Sequence, residues 1–238
     1  MSVLTCVRHG QASFEADNYD QLSALGEQQV RLLGDFWAQQ RLVIDEVFVG
    51  PRVRQQRSAE LAGIGYQQAG LVWPEPILIE GLDEYDLDGL VNRFAPRLAE
   101  RDSEFARLVE SFRLSQKLDR LRSFQRMFES LLRHWQIAGA AAADVESWPA
   151  FQSRVERVIG GIQAQSPPGR RVVLFTSGGF IGGVAQLALQ VADEQALELN
   201  WRIRNSSLTD FVFTHERFTL DSFNTLPHLP DPALWTYR

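Results

Sequence analysis

A chain of 238 residues, 45% hydrophobic and 23% charged, can bury a sizeable core and has an ordinary globular composition, which excludes disordered and fibrous classes. Its formal net charge of −6 argues against nucleic acid as the main partner, since a phosphate backbone needs clustered Lys and Arg; a local basic pocket for one small phosphate stays open. The lone cysteine, Cys6, forms no intrachain disulfide, and neither a signal peptide nor an apolar run of roughly 20 residues is present, so a cytoplasmic protein with no membrane partner is expected.

In chain order, Val3 to Val7 reads as a strand buried on both faces. Leu22 to Gln40 follows with Leu22, Leu25, Gln29, Leu32, Leu33 and Phe36 at helical spacing. Ile44 to Val49 and Ile77 to Ile79 are the next strands. From Leu90 to about Ala143 the strand signal disappears. Two or three amphipathic helices are expected there, with Leu108, Phe112, Leu121, Phe124, Phe128, Leu131 and Leu132 supplying their apolar faces. The run Ala140 to Ala143 reads as a helix end or a joint. Trp148 to Gln165 is helical again, through Phe151, Val155, Val158, Ile159 and Ile162. The cluster Pro167-Pro168-Gly169 marks a loop before the strand Val172 to Thr176. Two more strands, Asp210 to Thr214 and Phe218 to Phe223, flank a turn at His215-Glu216, and a proline-rich extended tail runs from Pro227 to Arg238. Alternating strands and helices imply an α/β fold, three layers α/β/α around a mostly parallel sheet. Residues 1–238 are read as a single domain, with a helical cap inserted at about 90–145. Such a cap either covers a cleft and shapes substrate choice or serves packing alone.

The strongest local signal is Val7-Arg8-His9-Gly10-Gln11, directly after the first strand. Ligands of open α/β sheets bind at the carboxyl ends of strands. Arg8 offers a permanently charged fork for phosphate oxygens. His9 is a nucleophile if one ring nitrogen is held protonated and the other left free. Gly10 would let the backbone approach a ligand closely. Three residues recur by chance, so a surface loop is the competing reading. The segment Gly50 to Ala59 follows the second strand and opens a helix, a place that favours anions. Arg52, Arg54 and Arg57 cluster there against the helix dipole; a bound anion would account for them, and a solvated face is the equal alternative for Arg52 and Arg57.

Together these segments resemble the histidine phosphatase superfamily, the phosphoglycerate-mutase-like family. Arg8-His9-Gly10 matches its Arg-His-Gly signature, and Leu22 to Gln29 resembles its Leu-Thr-x-x-Gly-x-x-Gln helix opening. Gly50 to Ala59 resembles Ser-Pro-x-x-Arg-x-x-x-Thr-Ala, which implies Arg54 as the second phosphate arginine. Leu82-Asp83-Glu84-Tyr85 resembles the Leu-x-Glu segment and implies Glu84 as proton donor, where the residues alone suggest a polar loop. Glu146-Ser147, Phe151 and Arg154-Val155 fit a family helix; Asn205-Ser206-Ser207, Phe223-Asn224 and His228-Leu229 fit its last strands and tail. The matches run in the family's order along essentially the whole chain.

One position departs from the pattern. The family's second histidine stands in a Ser-His-Gly-Gly turn; here the turn reads Phe175-Thr176-Ser177-Gly178-Gly179-Phe180, with Ser177 in its place. A hydroxyl donates one neutral hydrogen bond but no charge, so turnover slower by ~10²–10³ is expected. The resemblance thus implies a phosphomonoester hydrolase: Arg8, Arg54, Ser177 and the N–H groups at Gly178 and Gly179 hold phosphate, His9 becomes phosphohistidine, and Glu84 serves as acid and then base. Asp83 and Asp86 would raise the Glu84 pKa by like charge. A phospho-ligand-binding protein without turnover is the runner-up, and a phosphotransferase of the mutase type comes third. The expected partner is a small phosphorylated substrate. The scheme needs no metal or other cofactor, and His9, His134, His215 and His228 show no ligand spacing with Cys6. Cys6 is read as a buried hydrophobe, His134 as a surface or cap residue, and His228 and Asn224 as structural. Trp73, Trp135, Trp148, Trp201 and Trp235 are read mainly as packing residues. Neither substrate identity nor oligomeric state is encoded in a recognisable pattern.

Overall fold

A computed structural model describes residues 1–13, 20–139 and 144–237; the Ala140 to Ala143 run lies outside them. The β-branched runs form one six-stranded sheet of order β3-β2-β4-β1-β5-β6. Its strands are β1 (Ser2–Arg8), β2 (Glu46–Val49), β3 (Ile77–Leu78), β4 (Arg171–Thr176), β5 (Leu208–Phe213) and β6 (Phe218–Thr225). β3, β2, β4 and β1 are parallel neighbours, while β5 runs antiparallel to both β1 and β6.

Side-chain alternation divides the two faces. Val7, Val47, Val49, Val173 and Phe175 pack with Leu33 and Trp37 of α1 (Ala24–Gln39) and with Ala59, Ala62 and Tyr66 of α2 (Val53–Gln68). Leu4, Cys6, Val172 and Leu174, on the alternate positions, are buried as well. Both faces are therefore covered, as a parallel sheet requires. Ser23, just ahead of α1, accepts from the Gly26 N–H at 3.0 Å, which satisfies one of the helix's open donors.

Register decides where chemistry can occur. Arg8 is level with Thr176 across β1 and β4, and Val49 with Phe175 across β2 and β4. Antiparallel β5 enters at this same end, where Leu208 faces Val7. The residues after β1, β2 and β4 and those before β5 thus meet along one sheet edge.

Contacts divide the chain into two units: Met1–Glu84 with Val155–Arg238, and Tyr85–Arg154. The first holds the sheet with α1 and α2, together with α8 (Gly178–Leu189) and α9 (Asp193–Asn200). The second is helical: α3 (Leu87–Gly89), a π-helical turn (Leu90–Phe94), α4 (Ala95–Arg101), α5 (Ser103–Leu114), α6 (Lys117–Ile137) and the first turns of α7 (Trp148–Gln165). Its core is aromatic, with Trp135 lying 5.2 Å from both Tyr85 and Trp148. Arg154 binds Glu146 through two 2.7 Å bonds, so that motif pair is structural. Phe112, Phe124 and Phe128 form a ring ladder between α5 and α6. Leu121, expected on that apolar face, is 55% exposed. No helix among the described residues is long and apolar enough to cross a membrane.

Candidate active site

His9 follows β1 directly and is almost fully buried, at 4% exposure. Its backbone is tied on both sides: its N–H donates to Thr176 O at 3.0 Å, and its carbonyl accepts from Ser206 N (3.2 Å) and Asn205 Nδ2 (3.3 Å). The ring is equally constrained. Nδ1 lies 2.7 Å from the Gly10 carbonyl, which can only accept, so Nδ1 carries the proton. Nε2 then keeps its lone pair and accepts from Arg54 Nε at 3.1 Å. Burial, with Arg54 and Arg8 nearby, holds the His9 pKa well below its ordinary value, while the bond to Gly10 pulls weakly the other way. The imidazole is neutral, in one tautomer, with its nucleophilic nitrogen beside a guanidinium.

Arg54 sits in the first turn of α2 and is buried. Its Nη1 donates to Asp20 Oδ1 at 2.7 Å, and Asp20 Oδ2 accepts from the Val53 N–H at 2.9 Å. The opening of α2 thus holds a carboxylate of the protein itself. Asp20 had no signature in the sequence, because a contact spanning 33 residues leaves no periodicity. Of the clustered arginines only Arg54 reaches His9. Arg52 pairs with Asp83 at 2.7 Å, and Arg57 pairs with Glu60 at 2.7 Å and Glu27 at 3.3 Å.

Arg8 donates from Nη1 to the carbonyls of Ile203 and, at 2.9 Å, of Tyr237, so the tail is tied to the site. Its guanidinium passes Gly178 so closely that a Cβ there would sit 3.5 Å from Arg8 Nε. A Cβ at Gly10 would collide with the Gly26 backbone at the start of α1, so its smallness serves helix packing.

Glu84 is reached through the turn Glu80–Leu82, anchored by Thr176 Oγ1 donating to Leu82 O at 2.6 Å. Its Oε2 accepts from the Gly179 N–H at 3.1 Å. The neighbouring Asp83 accepts from the Glu84 N–H at 2.7 Å and is paired with Arg52, while Asp86 is paired with Arg93. Ser177 precedes α8, is fully buried, and accepts from Gln55 Nε2 at 2.8 Å. Gln55 has no place among the sequence candidates; only the fold brings it to Ser177.

The remaining candidates lie elsewhere or behind the site. His215 is exposed in the turn after β5, at the opposite sheet end. His134 bonds Ser130 O and Asp102 in the helical unit. Cys6 is fully buried, and burial together with Asp210 pushes its thiol pKa up, so it is no nucleophile. His228 supports His9 from behind: its Nε2 lies 2.9 Å from Ser206 Oγ, and Ser206 (φ +55°) bonds the His9 carbonyl.

Burial lowers the His228 pKa to about 3. Below its ordinary value the unfolded chain takes up a proton that the folded chain refuses, so stability is lost as pH falls from about 6.5 towards 3. The expected loss is roughly 2 kcal/mol by about pH 5 for this group alone. Urea midpoints should fall between neutral pH and pH 5, and less so in His228→Gln; an unchanged pH dependence in that variant would exclude His228 as a source.

Comparison with known proteins bears on the fold. Residues 116–226 match the histidine phosphatase superfamily (branch 1) model. That segment contains Ser177 and ends before His228; His9, Arg54 and Glu84 precede it. No curated protein matches the sequence. Among solved structures, the chain is similar to an alpha-ribazole phosphatase from Shigella flexneri (TM-score 0.61, 17% identity, 94% of this chain and 96% of that one). It is also similar to a phosphoglycerate mutase from Bacillus anthracis str. Sterne (TM-score 0.63, 16% identity, 96% and 95%). A phosphoserine phosphatase mutant from Entamoeba histolytica in complex with phosphoserine gives a TM-score of 0.61 at 17% identity over 96% and 100%. At these identities the structural likeness speaks for the fold. The matched segment spans under half of the chain and resembles the histidine phosphatase superfamily, and the solved structures share the fold.

Proposed function

We propose that this chain is a phosphomonoesterase that works through a phosphohistidine at His9. The observation carrying this reading is the His9 ring itself: neutral, Nδ1–H given to Gly10 O, and Nε2 directed at Arg54. An incoming phosphate takes over the Arg54 donors that now serve Nε2 and Asp20, and Arg8 and Ser177 complete its binding. Nε2 then attacks phosphorus while the bond to the leaving oxygen breaks, and Glu84 in its acid form gives that oxygen a proton. Water attacks the phosphohistidine, Glu84 takes the water's proton, and inorganic phosphate leaves. The chain supplies every group in this cycle, and the phosphatases among its structural neighbours support the reaction class.

A second reading is favoured by one observation, the full burial of Ser177, at a position where the resemblance implies a charged donor. It makes the chain a phospho-ligand-binding protein. Incubation with a generic aryl phosphate separates the two. Continuous release of one inorganic phosphate per leaving group is the expected result. Saturable binding of phosphate with no release above the uncatalysed rate would replace the enzyme reading with the binding one, and transfer to an added alcohol in preference to water would point to a phosphotransferase.

A further inference from the structure

Gln55 and Ser177 form a hydrogen-bond relay whose polarity is set from one end. The Arg52 N–H can only donate, and it donates to Gln55 Oε1 at 3.1 Å. The amide orientation follows, so Gln55 presents its NH₂ group to Ser177 Oγ at 2.8 Å. Ser177 Oγ is therefore an acceptor from Gln55, and its proton is left to give away. Among the described residues no acceptor takes that proton. Both side chains are fully buried, where water does not compensate for a missing bond.

The surroundings indicate where the proton is directed. Ser177 follows Thr176, whose carbonyl holds the His9 N–H. The next residue, Gly178, lies against the Arg8 guanidinium, and the one after binds Glu84 Oε2. Gln55 itself neighbours Arg54 in the first turn of α2. The relay thus ends among the side chains assigned to phosphate.

We infer that Gln55 is a positioning residue: it holds the Ser177 hydroxyl as an obligate donor to the phosphoryl oxygen. This rests on the phosphomonoesterase reading and assigns the otherwise weak Ser177 donor a fixed direction. A free hydroxyl samples three rotamers and several partners; one that already accepts a strong bond is ordered before the ligand arrives, so little freedom remains to be lost.

The test is a double-mutant cycle of Gln55→Met and Ser177→Ala, read by orthovanadate affinity and by kcat/KM for an aryl phosphate. Methionine is neutral and nearly isosteric, so no charge is added near the anion. Each single variant should weaken vanadate binding roughly ten- to hundredfold, the size of one hydrogen bond to a charged group. The double variant should bind no more weakly than Ser177→Ala alone. Equal losses from Gln55→Met in both backgrounds, or no loss in either, would overturn the relay. Should Gln55→Met fail to fold, Gln55→Glu serves instead: it keeps the bond from Arg52, yet its ionised carboxylate draws the Ser177 proton to itself. Its loss of affinity should shrink in the Ser177→Ala background, and a loss of equal size there overturns the relay too. A wild-type chain that neither binds vanadate nor turns over would instead remove the phosphate-site reading itself.

Discussion

Replacing His9 with alanine should lower aryl phosphate turnover by at least ~10³-fold, because the attacking nitrogen is gone and, among the described residues, neither Cys6 nor another histidine can replace it. Cys6 cannot substitute, being fully buried with its thiol pKa pushed up. His228 cannot either, since it faces Ser206 behind the His9 backbone. Phosphate affinity should change far less than turnover, because Arg8 and Arg54 remain. This split between kcat and binding is what separates loss of a nucleophile from collapse of the site. A variant that hydrolyses substrate as fast as the wild type would leave His9 a structural histidine.

Arg54→Ala should have the next largest effect, a fall in kcat/KM of ~10²–10³ from losing a preorganised cation at the phosphate. Its guanidinium has two tasks in fixed geometry: Nε bonds His9 Nε2 and Nη1 bonds Asp20. Lysine carries the charge but not the planar fork, so Arg54→Lys should recover only part of the loss. The pH profile provides an independent check. Arg54 is one of the cations that hold the His9 pKa down. Without it the His9 pKa rises, the ring protonates at higher pH, and the acidic limb of kcat/KM moves upward. A profile identical to the wild type would mean that Arg54 does not act on His9.

β1, β2 and β4 were legible because burial on both faces of a strand writes a continuous apolar run; Ile77 to Ile79, read in the same way, forms only the short edge strand β3, with Ile77 and Leu78 about half exposed. Val172 to Thr176 differs from observed β4 by one residue, and Trp148 to Gln165 coincides with α7. The pairing of Arg8-His9 with the arginine segment after β2 was legible as motif, and the fold brings Arg54 Nε within 3.1 Å of His9 Nε2. What stayed hidden is contact between side chains far apart in sequence. Asp20 on Arg54 and Gln55 on Ser177 follow neither period nor composition. For Arg52 and Arg57 the sequence left an anion ligand and a solvated face as equal readings; in the fold they meet Asp83, Glu60 and Glu27, while Arg54 reaches His9. Nothing local announces Gly26 as the neighbour of Gly10. Sequence periodicity registers burial, whereas these details are matters of direction.

The proposed catalysis depends on a covalent bond between phosphorus and His9 Nε2. The direct measurement is to mix the protein with an aryl phosphate, quench rapidly in alkali, and determine the mass of the peptide containing His9. A single phosphoryl group on that histidine, formed during turnover, cleared by water and missing from His9→Ala, is the predicted result. Steady hydrolysis with His9 unmodified at every time point would contradict it.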